Sequence, residues 1–172
     1  MNAQQSQKPI RSMLFVPGNR ASWIDKGMAA GADAVVLDLE DSVPVAEKAI
    51  ARDIVAAAVA QHGSPDRLLY VRTNPGAHMP DWDDLQAVIQ PGLTGLFVAK
   101  AQDATDIEVL ARLVSEAESR RGMAIGHCRF VVALETARAA EKAFEIASHP
   151  RVQTLVSSAA KNADVARALG FT

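Results

Sequence analysis

The chain has 172 residues, 49% of them apolar and 22% charged, which suits one domain with a buried core and argues against disorder. Lys and Arg total 18 against 20 Asp and Glu, and the net charge of −2 gives no reason to expect nucleic acid or an acidic membrane as partner. A single cysteine, Cys128, excludes a disulfide framework and a Cys-based zinc site, and no apolar run reaches the roughly 18 residues of a membrane span.

Met1 to Lys8 is polar and Gln-rich, unlike a signal peptide, so a cytoplasmic protein with a flexible stretch over residues 1–10 is expected. Ser12 to Val16 reads as a first strand, stopped by the turn Pro17-Gly18-Asn19. Ser22 to Ala30 reads as a helix, with Ser22 as N-cap, Asp25 in a weak capping box and Gly31 at its end. Ala34 to Leu39 is apolar on consecutive positions, the pattern of a strand buried on both faces. The Ala-rich run from Val45 to Gln61 predicts a helix, stopped at His62-Gly63-Ser64-Pro65. Arg67 to Arg72 is a third strand, Asp81 to Ile89 a short helix, and Gly95 to Ala99 a fourth strand. Asp103 to Arg121 is amphipathic, with Ile107, Leu110 and Val114 on one face. Arg129 to Leu134 is a fifth strand, Thr136 to Ala147 a helix, Val152 to Val156 a sixth strand, and Asp164 to Leu169 opens a last helix. Strands alternating with helices, without linker or repeat, predict a parallel α/β fold. Right-handed crossovers then set every strand's C-terminal end on one rim, where function collects in such folds.

That rim is polar. It carries Asn19 and Arg20 after strand one, Asp38, Glu40 and Asp41 after strand two, and Arg72 to Asn74 after strand three. Lys100 follows strand four, Glu135 strand five, and Lys161, Asn162 and Asp164 strand six. Carboxylates from different strands can hold Mg²⁺, and a nearby Arg can grip a substrate carboxylate or carbonyl. Taken singly, each has an ordinary structural use: the acidic residues as helix caps or dipole partners, Arg72 in a surface ion pair, Lys100 as a solvated loop residue. His62, His78, His127 and His149, in turns or at strand starts, are not read as ligands. Cys128 reads as a small buried side chain, and Trp23 and Trp82 as packing.

Two stretches, Arg11-Ser12-Met13-Leu14-Phe15-Val16-Pro17-Gly18-Asn19 and Gly31-Ala32-Asp33-Ala34-Val35-Val36-Leu37-Asp38-Leu39-Glu40-Asp41-Ser42-Val43, resemble the citrate lyase β-subunit-like group of the HpcH/HpaI aldolase superfamily. The resemblance continues in family order through Val71-Arg72-Thr73-Asn74, Gly95-Leu96-Phe97-Val98-Ala99-Lys100, Leu134-Glu135-Thr136 and Asp164 to Gly170. It implies a (β/α)8 TIM barrel of which residues 11–172 form about six β/α units, since a complete barrel typically needs about 250 residues. It also implies a Mg²⁺-dependent carbon–carbon lyase acting beside a CoA thioester, as in citryl-CoA or malyl-CoA, and a homo-oligomer, trimer or hexamer. On the same resemblance Glu135 and Asp164 are the metal ligands and Arg72 binds substrate oxygens. Glu40 and Asp41 orient Arg72 and metal-bound water, and Arg20 and Lys26 lie near the CoA phosphates.

Three departures accompany it. The stretch from Val156 to Ala163 lacks the Gly usual before the family's Asp, and Ala99 stands where Pro is common. The family's last two strands and its C-terminal segment, which supplies a proton-transferring Asp, have no counterpart in the 172 residues. A 2-oxo acid aldolase of the same superfamily, an acyl-carrier thioester as substrate, and a truncated non-catalytic member are the alternatives.

Overall fold

A computed structural model of the protein describes residues 9–76, 79–157 and 163–170. The predicted positions Lys161, Asn162 and His78 lie outside the described residues. Six strands form one sheet in chain order, every neighbouring pair parallel: β1 (Met13–Pro17), β2 (Ala34–Asp38), β3 (Leu68–Arg72), β4 (Gly95–Val98), β5 (Arg129–Ala133) and β6 (Val152–Val156). Between and after them run α1 (Ala21–Ala29), α2 (Lys48–His62), α3 (Trp82–Val88), α4 (Ala104–Arg120), α5 (Ala137–Glu141), α6 (Ala143–Ala147) and α7 (Asp164–Ala168). Among the described residues, no helix is long and apolar enough to cross a membrane.

The strands carry two cores, one on each face. Val35, Leu37, Leu69, Val71, Leu96, Phe130 and Val132 pack outward under the helices. Ala34, Val36, Tyr70, Phe97, Val131 and Ala133 pack inward, with Ile10 and Met13 against them. This two-sided burial is why the strands read as continuous apolar runs. The sheet is also curled. In a flat sheet β1 and β4 would lie three spacings, about 14 Å, apart. Here the Phe15 and Phe97 rings meet edge-on at 4.9 Å, and Tyr70 on β3 donates to Gln153 Oε1 on β6 at 2.8 Å. Curling brings the strand ends toward a common centre, the geometry of a (β/α)-barrel wall.

Several local expectations need correction. Ser22 lies inside α1, whose N-cap position is Arg20, and no side chain caps that end. The 45–61 helix starts as a 3₁₀ turn at Val45–Glu47 before α2. The single helix expected over 136–147 is two short ones meeting at Lys142. Thr136 does cap the first of them, its hydroxyl accepting from Ala139 N–H. Trp23 is 54% exposed, so it is not a packing residue, whereas Trp82 lies partly buried under Arg120. Cys128 is buried, as expected, and burial pushes its thiol up to about 12.

One buried ion pair supports the far end of the barrel wall. Glu118 on α4 accepts from both terminal nitrogens of Arg151, at 2.9 and 2.7 Å, and from the N–H groups of Gly126 and Cys128. The pair joins α4 to the turn that starts β6, and every oxygen of Glu118 is matched by a donor.

Candidate active site

Strand alternation decides which side chains reach the centre. Ala34, Val36 and Asp38 share one parity on β2, Leu68, Tyr70 and Arg72 on β3, and Val131, Ala133 and Glu135 on and after β5. The earlier members of each series line the inner core, so Asp38, Arg72 and Glu135 follow them inward at the C-terminal ends. The pairing register also sets Asp38 directly beside Arg72.

Arg72 is clamped. Its Nε and Nη2 donate to the two oxygens of Asp38, each at 2.7 Å, a bidentate pair. Its Nη1 lies 3.1 Å from Glu40 and 3.4 Å from Asp41, and its guanidinium sits over the Phe15 ring at 5.4 Å. Asp38 is 1% exposed and also accepts from Glu40 N–H at 2.9 Å and from Ser42 N–H and Oγ at 3.1 and 2.5 Å. Burial pushes Asp38 up, but these donors outweigh it and hold its carboxyl below the usual range. Gly18 backs onto the same strand end: its N–H donates to Asp38 O, and a Cβ there would lie 2.7 Å from that oxygen. Lys48 reaches back from α2 to the carbonyls of Leu39 and Glu40, fixing the loop.

Opposite stands Lys100. It adopts φ +57, the left-handed region, unlike every other described residue apart from glycines. Its N–H donates to Glu135 Oε2 at 3.0 Å, while its ammonium lies 3.4 Å from Glu40 and 3.7 Å from Asp41. Glu135 and Glu40 are both raised above the ordinary carboxyl value. Burial is the main cause for each, incompletely offset by Lys100 and Arg72. Glu40 Oε2 is buried and, among the described residues, accepts no well-aligned hydrogen bond, although Arg72 Nη1 lies 3.1 Å from it.

Glu135 and Asp164 line one open cleft of about 610 Å³ between β1, β4, β5 and β6. Asp164, the first residue of α7, pairs with Arg167. Among the described residues, no group of three or more His, Cys, Asp or Glu side chains forms a ready metal cage. Two carboxylates facing one cleft suit a hard cation that keeps several waters, as Mg²⁺ does. Both are oxygen donors, and among the described residues no hydrogen-bond donor reaches Glu135 Oε1 while Oε2 is held by Lys100 N–H.

The structure thus brings Arg72, Glu40, Asp41 and Glu135 together, with Asp164 on the shared cleft wall. No hydrogen bond or ion pair links Arg20 or Lys26 to this group among the described residues. Arg20 accepts the first backbone bonds of α1 through its carbonyl, and Lys26 lies exposed in the last turn of that helix. Sequence reasoning left two members without a role: Asp38, which holds Arg72 more closely than Glu40 or Asp41 does, and Lys100. The alternation of β2 could have found Asp38, since it shares inner parity with Arg72. Nothing in the local sequence marks Lys100 as left-handed.

Comparison with known proteins places this arrangement. The family model described as HpcH/HpaI aldolase/citrate lyase matches residues 11–172. Citrate lyase subunit beta of Leuconostoc mesenteroides is 34% identical over 141 residues, 80% of this chain and 46% of its own length. A (3S)-malyl-CoA thioesterase of Cereibacter sphaeroides is 30% identical over 164 residues, 94% of this chain and 52% of its own. The citrate lyase beta subunit of Mycobacterium tuberculosis, solved with oxaloacetate and magnesium, superposes with a TM-score of 0.68 at 30% identity, over 93% of this chain and 61% of that one. The chain spans about half the length of the curated relatives it matches.

Proposed function

The chain belongs to the HpcH/HpaI aldolase/citrate lyase family, and from that premise we propose a Mg²⁺-dependent carbon–carbon lyase that cleaves or forms a 3-hydroxyacyl-CoA by retro-aldol or Claisen chemistry. One observation carries the reading: two inward carboxylates share a cleft wall, and a doubly clamped arginine stands on the same rim. Glu135 and Asp164 would hold the cation. When bound, Mg²⁺ supplies Lewis acidity to the substrate's oxygens.

The remaining chemistry belongs to the chain. Breaking the bond beside a thioester develops negative charge on oxygen, and a preorganised donor stabilises it most when it need not reorient. Arg72 is such a donor, because Asp38 fixes the guanidinium plane before any substrate arrives. Glu40 and Asp41 hold Arg72 Nη1 and Lys100 at set distances, which makes them positioning groups. Arg20 and Lys26, both on α1 or at its start, carry the positive charge proposed for the CoA phosphates. A neighbour solved with magnesium, acetoacetate and coenzyme A supports the acyl-CoA side of the reading.

The test is product release from citryl-CoA and malyl-CoA, compared with pyruvate release from a 4-hydroxy-2-oxo acid, each with Mg²⁺ and with EDTA. Acetyl-CoA release that stops with EDTA is expected. The Glu135→Ala and Asp164→Ala variants should lose Mg²⁺ binding in calorimetry. Pyruvate release alone would move the reading to a 2-oxo acid aldolase, and unchanged metal affinity in both variants would overturn the ligand assignment.

A further inference from the structure

We propose that Lys100 is a positioning residue that locks the separation between the metal-binding carboxylate and the arginine rim. The inference rests on the metal reading above, because Glu135 matters as a ligand only there.

Lys100 breaks the alternation that places Asp38, Arg72 and Glu135. Phe97 points inward, and the strand ends at Val98. The Lys100 N–H meets Glu135 Oε2 at 3.0 Å, and the left-handed φ of +57 turns the side chain and the chain that follows away from the extended path relative to that N–H. That bond occupies one oxygen of Glu135 and fixes the carboxyl's rotation, and no other described residue donates to Oε1, which faces a cation's place. From the same Cα the side chain runs to the other half of the site, where its ammonium faces Glu40 and Asp41, the carboxylates that also hold Arg72 Nη1. One residue therefore grips both halves, by its backbone on one side and its charge on the other.

The conformation has a cost. A side-chain-bearing residue in the left-handed region is disfavoured, and glycine is not. The ion pairs with Glu40 and Asp41 supply the compensation. Taking away the ammonium while keeping a Cβ removes that compensation and leaves the strain, so the peptide relaxes and Glu135 loses its donor. Taking away the Cβ as well removes the strain, and the N–H stays in place. The ranking of variants is thus the reverse of the ordinary one.

The experiment measures Mn²⁺ affinity by electron paramagnetic resonance on the full chain, for wild type, Lys100→Ala, Lys100→Gly and Lys100→Arg. Lys100→Ala should bind Mn²⁺ about tenfold more weakly than wild type. Lys100→Gly should stay within about threefold of wild type, or bind more tightly, because a repelling ammonium has gone. Lys100→Arg, which keeps the charge, should resemble wild type. A residue that merely packs or pairs at the surface would make glycine no better than alanine. Equal affinities for Lys100→Ala and Lys100→Gly, or weaker binding by the glycine variant, would overturn the proposal while leaving the metal site standing. Wild-type protein that binds no Mn²⁺ would overturn the metal reading and this inference with it.

Discussion

Arg72 cannot turn away from Asp38 without leaving a buried carboxylate short of its two strongest donors. The pairing therefore fixes the guanidinium rather than merely neutralising it. An ammonium in its place could not bridge both oxygens of Asp38 in one plane. Arg72→Ala is expected to lower kcat/KM for the acyl-CoA substrate by about 10²-fold or more, if Arg72 meets the developing charge as proposed. Arg72→Lys should restore little of it, and steady-state kinetics on the two variants checks both. Full recovery by Lys would show that charge alone suffices and that the clamp is incidental. At this scale Arg72, Glu135 and Asp164 could be singled out as candidates because their types and their positions after strands agree with the family motif. Asp38's grip was not, because a bidentate pair depends on the β2–β3 register, and a sequence does not print register.

The elements hold this rim by fastening loops to helices. Asp84, buried on α3, accepts from Asn74 N–H and Nδ2 and from Arg52 on α2, and so pins the segment after β3. Glu118 and Arg151 do the same work between α4 and β6. Removing one partner of a buried pair strands a charge, at a cost of about 3–5 kcal/mol. Arg151→Met should therefore lower stability by about that much near neutral pH, read as a urea midpoint. The pH dependence has a definite sign. Burial pushes Glu118 up, and Arg151 with two backbone N–H groups pulls it net below its ordinary 4.5. In the wild type this contribution is complete above that value and is lost as pH falls through the folded one. In Arg151→Met only the backbone donors remain against burial, so the carboxyl rises and protonation relieves it. The deficit should shrink as pH falls toward about 4, and a deficit that is flat with pH would rule out a stranded charge as its source. Strands were the easiest elements to read, because burial on both faces makes them continuous apolar runs. Helix ends were harder. Arg20 in place of Ser22 at the cap, and the break at Lys142, follow from how the chain leaves β1 and packs before β6, which local propensity does not encode.

At the scale of the whole molecule, the curled sheet ends in β1 on one side and β6 on the other, each paired on one edge only among the described residues. All five residues of β6 remain partly exposed, and Phe15 on β1 is 41% exposed. Unpaired edges flanked by apolar side chains favour association. The 172-residue chain is therefore expected to self-associate, and a single monodisperse monomer in sedimentation velocity would count against it. The family with its barrel fold, the α/β class, the order of six β/α units and the polar rim at the strand ends were determined by the sequence by itself, because period-2 and helical burial patterns and several motifs in series are local properties of the chain. Two things were decided only by the tertiary structure: the bidentate hold of Asp38 on Arg72 and the left-handed turn at Lys100. Each of them depends on groups far apart in the chain meeting at distances of a few ångströms. That meeting is fixed by strand register and by packing across the sheet, and neither has a signal in the residues taken one after another.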